Sequence, residues 1–76
     1  MRDVLVQLNQ VLPGLNIVRL VVGRNPVDRE IRIVRIEGQL NRMPLRCEGS
    51  GSTMQEASER LAEHVMKVAR LRRVTS

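Results

Sequence analysis

The stretch Glu48-Gly49-Ser50-Gly51-Ser52-Thr53-Met54-Gln55-Glu56-Ala57-Ser58 constrains this chain more than any other, because it must turn a sheet into a long helix within a few residues. Gly49 and Gly51 allow tightly bent or left-handed backbone, since neither carries a Cβ. Thr53 and Glu56 stand at the S/T-x-x-E spacing of a capping box, which places a helix start at Thr53. A helix that starts there points unpaired N–H groups and partial positive charge outward, the elements of a phosphate site. The residues around it decide whether it serves as one.

From Thr53 to about Leu71 the apolar residues Met54, Ala57, Leu61, Val65 and Val68, flanked by Ala62, Met66 and Ala69, recur at helical spacing. Acidic Glu56, Glu59 and Glu63 load the first half, and Lys67, Arg70, Arg72 and Arg73 the end, matching the helix dipole at both ends. The tail from Arg73 to Ser76 reads as frayed. At the other end of the chain, Val4, Leu5, Leu8, Val11 and Leu12 form the apolar stripe of a shorter helix, which Asp3 favours at its start and Pro13-Gly14 stops.

Between the two helices the pattern changes to strands. Leu15 to Val22 is dense in β-branched residues, and Gly23 to Asp28 supplies turn chemistry. In Glu30 to Glu37, Ile31 and Ile33 share one parity and Val34 and Ile36 the other. Either a bulge near Ile33-Val34 or partial burial of both faces explains the switch. Gly38 to Asn41 reads as a turn. Arg42 to Glu48 reads as a third strand, with Met43, Leu45 and Cys47 on one face and Pro44, Arg46 and Glu48 on the other. Pro44 has no N–H to give to a ladder, so this strand belongs at an edge or pairs only beyond that point. The expected fold is α+β, in the order α-β-β-β-α, with two helices on one face of a three-stranded antiparallel sheet. It is one domain over residues 1–76, of a size that also suits a piece of a longer protein.

Composition excludes several functions. The chain has no Phe, Tyr or Trp, which rules out an RNA-binding sheet that stacks bases on aromatic rings, and an aromatic cage. Its formal net charge of +5 comes almost wholly from arginine, with Lys67 the only lysine. Arginine favours planar, bidentate contacts and is common in interfaces, so the charge does not by itself imply nucleic acid. Cys47 is the only cysteine, which excludes an intrachain disulfide and suits a reducing, intracellular compartment, cytoplasmic or nuclear. No apolar run reaches membrane-spanning length. His64 lacks a second histidine or cysteine to partner it, Cys47 reads as a small buried hydrophobe, and the helix carboxylates read as a solvated face. No catalytic residue, metal site, cofactor or small-molecule substrate is expected.

The element order and the Gly-x-Gly-x-Ser/Thr turn resemble the double-stranded RNA-binding domain over nearly the whole chain. The segment from Gly49 to Ser58, followed by Leu61-Ala62 and Val65-Met66, fits that family's pattern G-x-G-x-S-K-K-x-A-K-x-x-A-A-x-x-A-L without a gap, and Leu8-Asn9-Gln10 fits its L-N-E. The functional positions depart from it. Met54, Gln55 and Ser58 stand where RNA-binding members place the basic residues that clamp phosphates across the major groove. Gln10 replaces a groove-reading glutamate, and Asn25-Pro26-Val27-Asp28 occupies the region of the G-P-x-H loop, with Asp28 where a histidine is usual.

The lead-in Cys47-Glu48-Gly49-Ser50 is similar to that of the third domain of Dicer-partner proteins of the TAR RNA-binding protein and Loquacious type. That resemblance implies a protein-binding or homodimerising module of an RNA-processing or RNA-silencing protein, its partner a second copy or a Dicer-like protein. The contact edge would be the third strand, through Met43, Leu45, Arg46 and Cys47, with Arg42 and Arg32 helping to set partner choice. The side chains of Leu45 and Cys47 would be core even if their backbone met the partner. Two alternatives stand beside it. One is weak, shape-directed binding of double-stranded RNA through Gln10, Arg24, Arg29, Thr53 and Gln55. The other is a structural domain that packs within its own chain.

Overall fold

The computed structural model describes residues 2–75, and the side chains of 6–8 and 10–73. The side chains of the stripe residues Val4 and Leu5, with those of Asp3, Asn9 and residues 74 and 75, lie outside that description, as does residue 76 altogether. Helix α1 (Arg2–Val11) leads into strands β1 (Leu15–Arg24), β2 (Arg32–Leu40) and β3 (Met43–Gly51), and helix α2 (Met54–Thr75) closes the chain. The strands form one antiparallel sheet in the order β1-β2-β3, so the expected α-β-β-β-α architecture is the one observed.

Helix α2 packs on β3 and β2, whereas α1 packs against α2 and β1. The core lies between: Leu8 of α1, Leu12 just after it, Leu15 of β1, Val34, Ile36 and Leu40 of β2, Leu45 and Cys47 of β3, and Ala57, Leu61, Val65 and Ala69 of α2. Val11, expected on the apolar stripe of α1, is exposed instead. Among the described side chains, Leu8 and the following Leu12, one turn apart, are the ones buried at this helix.

Glycine does its work here by close approach. No glycine has a positive φ. A Cβ on Gly49 would lie 2.3 Å from Ala57 O and 2.3 Å from Leu61 N, so the backbone of α2 rests directly on β3 at that residue. Gly38 lies within β2, not in a turn, and a Cβ there would lie 2.0 Å from Asn16 O of β1.

The actual β2–β3 turn is Asn41-Arg42, with φ of 52° and 70°. Positive φ at both central residues is the type I′ geometry whose twist suits a two-residue hairpin. The sequence lacks the glycine that usually marks such a turn, and Arg42 holds the left-handed conformation without one. Strand β2 pairs with both neighbours without a break in its own register. The parity switch read in that strand therefore reflects partial burial of Ile33 on the outer face, not a bulge. The bulge is in β1, where the register with β2 shifts between Ile17 and Arg19 and leaves Val18 unmatched.

Helix α2 continues to Thr75, past the Leu71 end expected from the sequence. No glycine or proline stops it, and its closing basic residues suit the C-terminal end of the dipole. At its start, Glu56 N donates to Thr53 Oγ1 at 3.1 Å, the cap expected from Thr53. The reciprocal half of the box does not form. The Glu56 carboxylate instead accepts from Ser52 Oγ at 3.1 Å and pairs with Arg60 at 2.9 Å.

Candidate functional site: two unlike sheet edges

Two strands of the sheet have only one neighbour, β1 and β3, and each presents an unpaired backbone edge. The turn fixes which groups face outward. Leu40 and Met43 flank a two-residue hairpin and are a mutually bonded pair, and bonding then alternates along the ladder. Leu45, Cys47, Gly49 and Gly51 therefore bond to β2, while Pro44, Arg46, Glu48 and Ser50 turn their backbone groups outward. The same alternation turns those of Leu20, Val22 and Arg24 to the open side of β1.

The β3 edge is covered by side chains of α2. Arg60 Nη1 donates to Ser50 O at 3.1 Å. His64 Nδ1 lies 3.3 Å from Glu48 N and 3.2 Å from Glu48 O, so the ring accepts from the amide in one tautomer and donates to the carbonyl in the other. Arg72 donates to Met43 O at 3.4 Å and, in a shorter bond, to Pro44 O. Arg60, His64 and Arg72 fall on one stripe of the helix at multiples of four residues. Pro44 has no N–H to offer, so of the outward-facing residues of β3 only Arg46 lacks a backbone group that is either capped or missing. Proline and charged side chains along an edge are the usual means of stopping a sheet from adding a strand.

The third-strand residues expected to form a contact divide accordingly. Leu45 and Cys47 are buried, and burial pushes the Cys47 thiol up, with the Arg72 guanidinium partly opposing that rise. Met43 is exposed, in a groove with Leu12, Leu40, Asn41 and Ala69. Arg46 lies on the outer face opposite Glu37, 3.3 Å away, beside a second cross-strand pair in which Arg35 Nη2 meets Glu48 Oε2 at 2.8 Å. Arg42 occupies the turn, at the far end of the sheet from Arg32. These six residues do not converge on one surface.

The β1 edge differs in chemistry. After Leu15 and Ile17 the strand is exposed on both faces to its end. Leu20 and Val22 lie on the helix-covered side of the sheet, directly opposite the buried Ile36 and Val34, yet they remain 39% and 49% exposed because α2 does not reach across to β1. Val21 on the outer face and Val18 at the bulge are exposed as well. Four large apolar side chains thus stand along one strand, which carries Arg19 and Arg24 and no acid. Reading the sequence did not single out this edge. The β-branched density of Leu15 to Val22 is equally the mark of a buried strand.

The residues expected to touch RNA are split. Arg24 and Arg29 gather around a shallow depression near the start of α2, together with Glu30, Ser52 and Arg32, the last of which was expected at a protein contact. Thr53 caps that helix, and Gln55 donates to Glu59 at 3.3 Å. Gln10 stands on α1, two residues before the Leu12 that lines the groove at the opposite end of the molecule. Glu56 already brings a carboxylate to the first turn of α2, where a phosphate would have to sit.

Ser58, at the third of the clamp positions, is fully buried, and its Oγ has no hydrogen-bond partner among the described residues. A buried hydroxyl without a partner costs stability, and alanine is the better helix former. Ser58→Ala is therefore expected to stabilise the domain by about 1 kcal/mol, read from the urea midpoint. A loss of stability would mean that the hydroxyl has a partner after all.

Among the described residues no group of His, Cys, Asp and Glu could hold a metal ion, and no helix is long and apolar enough to cross a membrane. Comparison with family models, curated proteins and solved structures gives no match to this chain.

Proposed function

We propose that this chain is a non-enzymatic protein-association module, built on the plan of a double-stranded RNA-binding domain whose RNA-clamping positions carry no charge. The observation that carries this reading is the open β1 edge, where unpaired backbone groups and four exposed apolar side chains lie together. Such an edge takes up a strand: main-chain hydrogen bonds give affinity and alternate side chains give selectivity. The uncharged clamp supports the same reading from the other side. Met54 and Gln55 offer no cation, and Ser58 is not at the surface. RNA affinity that depends on counterion release would have to come from cations outside the clamp, such as the Arg24, Arg29 and Arg32 cluster.

A titration with a double-stranded RNA of about 20 base pairs at low salt tests the proposal, since one such domain spans about 16. No saturable binding up to about 100 µM is expected. Micromolar affinity that collapses between about 50 and 200 mM salt would overturn the reading and assign the arginine cluster to RNA.

A further inference from the structure

We infer that the strand that docks on β1 is the β1 of a second copy of this chain, running antiparallel about a two-fold axis through Val21, so that two domains share one six-stranded sheet. This inference rests on the protein-association reading above and names the partner.

The asymmetry between the edges is the first argument. If β3 were open, copies could add head to tail, β1 on β3, without limit. Arg60, His64, Arg72 and Pro44 occupy that edge at every outward-facing residue but Arg46, so the pairing left between copies is β1 with β1. Such a contact is isologous and closes at two.

Register is the second argument. The bonded pairs of the new ladder must join residues whose backbone groups face the open side, namely Leu20, Val22 and Arg24. Pairing Leu20 with Val22 of the partner, and Val22 with its Leu20, places apolar against apolar on the helix-covered face. Val21 then meets its own copy across the axis on the outer face. Arg19 falls opposite a glycine, Gly23, whose Cβ position has nothing within 4 Å, so the guanidinium has room and meets no second arginine. Arg24 falls opposite Val18. Shifting by one residue would set Leu20 against Val21, on opposite faces of the pleat, and is excluded.

Size and charge set the expected strength. Strand β1 supplies ten residues, whereas a standard interface uses about 20–30 a side, so the dimer is expected to dissociate within a measurable range. Each copy carries +5, which opposes association at low ionic strength. Added salt screens that repulsion and should tighten the dimer, the reverse of its effect on an RNA complex.

The test is sedimentation equilibrium from about 1 µM to about 1 mM, at low and moderate salt, on the native chain, on Val22→Pro and on Val21→Pro. Val22 turns its N–H outward, so proline there removes a donor from the intermolecular ladder and leaves the bonds to β2 in place. Val21 bonds inward, and its proline variant should lose stability in urea. The native chain should rise from 8.7 kDa toward twice that mass, with a midpoint at lower concentration when salt is added, while Val22→Pro should stay monomeric and folded. Should Val22→Pro destabilise the fold, Val21→Cys serves instead. Its oxidation should give a crosslinked dimer, because the axis places the two thiols across a non-bonded pair. A native chain that stays at 8.7 kDa throughout would overturn the inference, with the RNA titration still deciding the wider reading. A dimer indifferent to Val22→Pro and uncrosslinked through Val21→Cys would overturn the inference and leave the association reading standing.

Discussion

Gly49→Ala is expected to cost the domain about 3 kcal/mol or more, the upper range for forcing an extra methyl into a packed site. The methyl would lie 2.3 Å from Ala57 O and 2.3 Å from Leu61 N, both backbone atoms of a helix that is itself pinned to β3 and β2, so no side chain can swing aside to make room. Relief requires lifting α2 from the sheet and opening the core around Leu61 and Val65. A domain of 76 residues holds roughly 4–11 kcal/mol in all, so the loss is a large share of it. The natural control is Gly23→Ala, where a Cβ meets nothing within 4 Å and stability should hold or rise slightly. Urea unfolding of the two variants side by side checks the contrast. Equal midpoints would mean that α2 does not rest on Gly49.

The second large effect is expected from Ile36→Ala. Ile36 is 1% exposed beneath α2, and truncating an isoleucine in such a place costs about 2–5 kcal/mol through lost burial and the cavity that remains. Leu20 is its direct neighbour on β1 and points to the same face, yet Leu20→Ala should cost under about 1 kcal/mol in the monomer, because solvent already reaches it. The pair measures where the helix layer ends. Urea midpoints at low protein concentration, where copies are apart, give both numbers. Comparable losses at the two positions would show that β1 is covered as fully as β2.

What could be read from the residues, and what could not, follows the range of the interactions involved. The buried faces of β3 and α2 were legible because alternation and helical spacing are local: Leu45 and Cys47, and Ala57, Leu61 and Val65, lie inward as their periodicity requires. The Thr53 cap was legible for the same reason. The Asn41-Arg42 turn was not, since Gly38 offered a better turn signal, whereas that glycine is required by its contact with Asn16 across the sheet. Nor was the exposure of Leu20 and Val22 legible. Strand order and the reach of α2 decide it, and both are set by residues far away in the chain. The same limit applies to the edges. Pro44 pointed to β3 as an edge strand, but that Arg60, His64 and Arg72 would close it is visible only once helix and strand lie side by side.

That closure has a consequence for how the chain is made. Helix α2 follows all three strands in the chain, so the side chains that cover β3 belong to the last element of the domain to be made. Until Arg60, His64 and Arg72 dock, Pro44, Glu48 and Ser50 keep their outward backbone groups uncovered, and an uncovered strand edge is open to another strand. Helix α2 thus serves twice, as one wall of the core and as the late cover of a strand edge.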